Sequence, residues 1–164
     1  MRIRGKKIVQ TAKTTPDEEL NRIEQYLQFM IHLMRADGRV DVEEKRHLLS
    51  MMVDGLKLEP TLVTRYRAAL EEDDFTEPTD EQLAAIVKGL DPASLAHLVR
   101  DAYGLAGADG EIHEKELHLL RRSLAIAGVP ESRFENIDTW ARHSLELNRI
   151  GELLLDPNYR DVGE

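Results

Sequence analysis

Asp37, Asp41 and Glu44 lie in the stretch Ala36-Asp37-Gly38-Arg39-Val40-Asp41-Val42-Glu43-Glu44, and Asp109, His113 and Glu116 lie in a second, Ala108-Asp109-Gly110-Glu111-Ile112-His113-Glu114-Lys115-Glu116. Carboxylates spaced in this way around a glycine are the donor type that hard divalent cations take. In order and spacing each stretch matches the second half of a twelve-place calcium loop: acid fifth, glycine sixth, aliphatic eighth, polar ninth, Glu last. The first half is missing, because its first and third places fall on Leu33 and Arg35, and on Leu105 and Gly107, none of which carries a side-chain oxygen. A full calcium loop is excluded. What stays is a reduced site of two or three carboxylates plus the carbonyl of Arg39 or Glu111. Calcium or another divalent cation is the candidate ligand, with an affinity on the order of 10⁻⁴ to 10⁻³ M.

The same letters dictate local structure. Both copies read Ala-Asp-Gly-x-(Val/Ile)-x-x-x-Glu at a constant offset of 72 residues, and the leucines agree on both sides, Leu33 with Leu105 and Leu48 with Leu120. A duplicated helix-loop-helix is the simplest account. Gly38 and Gly110 supply the positive φ at which a helix can end. Asp41 is a strong N-cap, and Glu44 stands where its carboxylate reaches back to the Asp41 amide as a capping box. His113 is a poorer cap, so the second corner is expected to be less well satisfied.

Around these corners apolar residues recur at helical spacing and β-branched alternation is absent, which predicts an all-α bundle of about seven to eight helices with pseudo-twofold halves. Thr15-Pro16-Asp17-Glu18 opens a first helix reaching Ala36, with Leu20, Ile23, Leu27, Met30, Ile31 and Met34 inward. A second, from Val42 to about Leu56, turns Leu48, Leu49, Met52 and Val53 to one face. Glu59-Pro60 restarts a helix carrying Leu62, Val63, Tyr66 and Leu70. The acid run Glu71-Glu72-Asp73-Asp74 reads as a solvated helix end or a further weak cation site, and Phe75-Thr76-Glu77-Pro78 as a hinge. Helices then start at Thr79-Asp80 and at Asp91-Pro92, the latter reaching Ala108 with Leu95, Leu98, Val99, Ala102, Leu105 and Ala106 inward. His97 and Asp101, one turn apart, read as a surface pair or a second ligand set. Glu114 to Ala127 is helical, Gly128-Val129-Pro130 ends it, and a helix from Glu131 with Phe134, Ile137, Trp140 and Ala141 precedes an amphipathic stretch from Leu145 to Leu155. The expected organisation is a basic, unpacked arm over 1–14, one helical domain over 15–155 with halves at about 16–74 and 79–150, and a mobile tail over 156–164.

Composition narrows the function classes. The chain of 164 residues has no cysteine, so disulfides, thiolate zinc and thiol catalysis are excluded, and a reducing cytoplasm is the expected compartment. No apolar run approaches the roughly 18 residues of a membrane span, and no secretion signal opens the chain. A net charge of −9 argues against nucleic acid. Arg2, Arg4, Lys6, Lys7 and Lys13 concentrate positive charge at the start, which reads as an unpacked arm or, alternatively, as an arm that touches the acidic face of the same protein or, weakly, anionic lipid.

Two tandem Ala-Asp-Gly corners in an all-helical, cysteine-free, acidic chain closely resemble the TerB-like family of bacterial tellurite-resistance operons, to which the N-terminal region of the membrane-anchored co-chaperone DjlA is similar. The resemblance spans roughly Pro16 to Leu155. It implies a compact helical fold, an acidic patch near the corners and a role in metal- or calcium-linked stress response. The implicated positions are Asp37, Asp41, Glu44, Asp109 and Glu116, and His113 departs from the acid or hydroxyl expected at its place.

Enzyme activity is not expected. His32, His47, His97, His113, His118 and His143 are scattered, and no phosphate loop or His-Glu-x-x-His motif is present. Two readings stay open: an acidic helical adaptor with weak cation sites at its corners, and a purely structural module whose acids are caps and whose protein partner docks on the acidic face. A third, weaker one is a membrane-peripheral scaffold using the basic arm. Partner identity and oligomeric state are not set by the residues.

Overall fold

Every regular element in the computed structural model, which describes residues 16–71 and 76–158, is helical. The helices are α1 (Pro16–Met34), α2 (Val42–Ser50), α3 (Pro60–Ala69), α4 (Asp80–Val87), α5 (Pro92–Ala106), α6 (Glu114–Ile126) and α7 (Glu131–Leu155), with a π-helical turn at Met51–Gly55. The basic arm, the acids Glu72 to Asp74, Phe75 of the expected hinge and most of the expected tail lie outside the described residues.

Helix α1 is the central rod, packing on α4, α5 and α6. Its second half is buried on most of its circumference, with Gln28 left exposed: Leu27, Phe29, Met30, Leu33 and Met34 are all within 1% of full burial, the pattern of a helix with neighbours on several sides. Leu20, expected inward, is exposed near the start of α1. Phe29 and Leu33 lie off the single stripe that periodicity picks out, and only neighbours on several sides bury them. α5, the counterpart of α1, packs on α1, α2, α6 and α7. One core joins residues of all seven helices, among them Tyr66 of α3, Leu83 of α4, Leu98 and Leu105 of α5, Leu120 of α6 and Phe134 of α7.

Local signals place most helix starts. Thr79 and Gln82 close a capping box on α4, and the Asp91 carboxylate accepts from the Ala93 and Ser94 amides at the start of α5. Arg122 of α6 then ties the entry of α4 to the bundle, donating to Glu77, to the Pro78 carbonyl at 3.2 Å and to Asp80 at 2.6 Å.

Two expectations fail for reasons of register. The π turn, with Leu56 N donating to Met51 O at 2.8 Å, inserts a residue into the helical count, so Met52 is buried while Val53 points to solvent. The final helix and amphipathic stretch are one continuous 25-residue helix. Its inward line is Phe134, Ile137, Ala141 and Leu145, which leaves Trp140 53% exposed instead of inward.

Leu145 seats α7 on the second corner. A Cβ on Gly107 would stand 2.5 Å from Leu145 Cδ1 and 3.2 Å from the Tyr103 carbonyl oxygen, inside van der Waals contact. Gly107→Ala is therefore expected to cost about 1–3 kcal/mol and to shift the amide resonances of residues around Leu145. A silent spectrum there would contradict this seating.

Candidate functional site at the paired corners

The two corners repeat each other bond for bond. After α1, Arg35 N donates to Ile31 O, Ala36 N to Leu33 O and Gly38 N to Arg35 O; after α5, Gly107 N donates to Tyr103 O, Ala108 N to Leu105 O and Gly110 N to Gly107 O. Gly38 and Gly110 have φ of 85° and 97°, the left-handed region in which a Cβ is strained. Past each glycine the chain reverses through an Asx turn, with Arg39 N donating to Asp37 Oδ1 at 2.8 Å and Glu111 N to Asp109 Oδ1 at 2.9 Å. The next helix is closed by a returning glutamate: Asp41 N donates to Glu44 Oε2 and His113 N to Glu116 Oε2, both at 3.0 Å. At Asp41 the side chain returns the bond to the Glu44 amide and completes the box, and its Oδ1 accepts from Glu43 N at 2.7 Å as well.

Four bundled helices bring these corners face to face. Glu44 and Glu116 are buried, 3% and 1% exposed, and their carboxyl groups are hydrogen-bonded to each other. Burial pushes both up from the usual carboxylate range. Each carboxyl makes it harder for the other to ionise, so both are held above the usual carboxylate range, Glu116 the further of the two. Its pKa is pushed up to about 9, by burial first, then by the bond and charge of Glu44 and by the charge of Asp37, against the lowering effect of the His113 amide. Glu44 also feels the charges of Asp109 and Asp37.

On the outer side His113 bridges the halves. Its Nε2 lies 3.5 Å from Asp109 Oδ2 and 3.9 Å from Asp37 Oδ2. The imidazole that makes a poor cap thus stands between the two Asx-turn aspartates, whose second oxygens the turns leave free.

Of the six residues the sequence singles out, five converge here: Asp37, Glu44, Asp109, His113 and Glu116. Asp41 is exposed and spent on its cap. The donors are four carboxylates and one imidazole, a set suited to a hard cation in kind. Among the described residues, however, no three His, Asp or Glu side chains stand in an arrangement that could hold a metal ion.

The proposed His97–Asp101 pair is replaced by a link between helices. Asp101 Oδ2 accepts from Tyr26 OH of α1 at 2.7 Å, and burial raises the Tyr26 hydroxyl pKa far above its usual value, reinforced by the bond and charge of Asp101. Tyr103, likewise, donates to Asp138 of α7 at 3.1 Å. No spacing in the sequence announces either link, since both join residues on different helices.

Among the described residues no helix is long and apolar enough to cross a membrane. The family model described as Tellurite resistance protein TerB matches residues 16–139. No curated protein and no solved structure matches the chain.

Proposed function

The chain belongs to the TerB family, and from that premise we propose that it is a non-enzymatic stress-response module, linked to tellurite resistance, that binds a protein partner in the cytoplasm and holds a divalent cation weakly at its acidic centre. One observation carries the cation reading: corners 72 residues apart in the chain deliver Asp37, Glu44, Asp109, His113 and Glu116 to a single place. Like charges crowded in this way repel, and a cation relieves them.

Binding has two costs here. An ion displaces the proton that Glu116 holds beside Glu44, and it draws in side chains that do not yet surround a common point. Both weaken affinity, and the first makes it depend on pH, tightening as the proton becomes easier to release. Calcium titration followed through the amide shifts of residues 37–44 and 109–116 is the test. Saturable shifts with a midpoint on the order of 1 mM, tighter at about pH 9 than at about pH 6, are expected. No shift at millimolar calcium removes the cation.

The second reading is a metal-free adaptor, favoured by the fact that Glu44 and Glu116 already bond to backbone amides and to each other. Asp41→Ala tests whether the capping aspartate joins the site as a further ligand. On the capping role alone it costs about 1 kcal/mol in chemical denaturation with or without calcium; if Asp41 is drawn in as a ligand, the loss grows when calcium is present.

A further inference from the structure

Beyond Thr139, where the family match ends, α7 continues from Trp140 to Leu155. Among the described residues, Trp140, Leu147, Ile150, Leu153, Leu154 and Leu155 are six of the nine large apolar side chains left exposed, so unmet apolar surface is gathered on the second half of one helix. Single exposed leucines are ordinary, whereas a contiguous cluster marks a contact surface. At 100° per residue Leu147, Ile150 and Leu154 point away from the line of Phe134, Ala141 and Leu145 that seats the helix. A helix apolar on opposite sides is built to be surrounded.

The same half-helix is one wall of an open cleft of about 1240 Å³. The other wall is α2, at Arg46, His47 and Ser50, and the floor is the end of α5, at Gly104 and Gly107. A helix 10–12 Å wide that rises 1.5 Å per residue occupies about 120–170 Å³ per residue, so the cleft has room for roughly eight to ten residues of helix. The segment from Leu147 to Leu155, which carries five of the exposed apolar side chains, is of that length.

Charge selects the occupant. Arg142, Glu146, Arg149 and Glu152 line the cleft along α7 and alternate in sign. Turned end for end about a point near residue 147, this row is its own complement: Arg142 of one copy faces Glu152 of the other, and Glu146 faces Arg149. A parallel pairing sets like charge on like. The four charges cancel, so nothing in the row draws the helix to an anionic membrane.

We propose that the chain forms a twofold homodimer through α7, in which the cleft-facing rows of the two helices pair antiparallel and the Leu147–Leu155 end of each copy fills the cleft between α2 and α7 of the other.

Sedimentation velocity on the full chain at about 0.15 M salt and on the order of 50 µM protein, with E146R, R149E and their equimolar mixture, is the experiment. The wild type is expected at twice the 18.7 kDa chain mass. Each single variant sets like charges together at both symmetry-related contacts and is expected to self-associate at least about tenfold more weakly. The mixture restores opposite charges at both contacts and is expected to regain the dimer. A monomeric wild type overturns the proposal, as does a dimer indifferent to both substitutions or a mixture that stays monomeric. A wild type that is monomeric and sediments with vesicles of phosphatidylcholine and phosphatidylserine overturns it in favour of lipid.

Discussion

Glu116→Gln is expected to make the protein more stable at about pH 8, by on the order of 2 kcal/mol, while leaving its stability near pH 5 almost unchanged. The reason is the proton that Glu116 holds against Glu44. In the unfolded chain Glu116 titrates near 4.5, whereas in the folded protein it is pushed up to about 9. For an acid raised on folding, stability is fully present below the unfolded value and falls as pH climbs toward the folded one, because the unfolded state releases a proton that the native state keeps. The wild type should therefore lose stability from about pH 5 toward pH 9. Glutamine reproduces the neutral form: its amide can donate to Glu44 and its oxygen can accept from the His113 amide, as Glu116 does. Removing the titration flattens the profile. Denaturant midpoints for both proteins across this range are the measurement, and parallel profiles would show that folding does not raise Glu116.

Leu105→Ala is expected to cost about 3–5 kcal/mol. Leu105 is fully buried one turn before the second corner, and Leu33 holds the equivalent place before the first, also at 0% exposure. Neither site can relax into solvent, so the removed methyl groups leave a cavity as well as a lost transfer free energy. Leu33→Ala should cost a similar amount. Val42→Ala, at a position 66% exposed, is the control and should change stability by less than about 0.5 kcal/mol. Urea midpoints with an unchanged slope would assign the losses to the native core; a Leu105→Ala loss no larger than that of the control would remove α5 from the centre of the bundle.

Much of the corner was legible because it is local. The Ala-Asp-Gly-x-(Val/Ile)-x-x-x-Glu spacing sets a positive-φ glycine, an Asx turn and a returning glutamate within a stretch of eight residues, and each of these bonds is observed twice. Helix starts at Asp41, Thr79 and Asp91 were equally readable, since a cap and its amides are neighbours in the chain. Burial failed where the neighbours of a helix or an irregular turn decided it: the π turn that exposes Val53, the start of α1 where Leu20 is exposed, and the narrow inward line of α7 that leaves Trp140 outside it.

By itself, the sequence determined that this protein is helical, that it turns twice on an acid and a glycine, and that each turn is closed by its own glutamate, because such bonds span four residues or fewer. Only the tertiary structure decided that the two closing glutamates meet in the buried interior, each raising the other's pKa, and that His113 stands between aspartates from both halves. The physical reason is range. A cap is complete within its own turn, whereas the energy of a carboxylate pair depends on separation and burial, which exist only once α1, α2, α5 and α6 have packed.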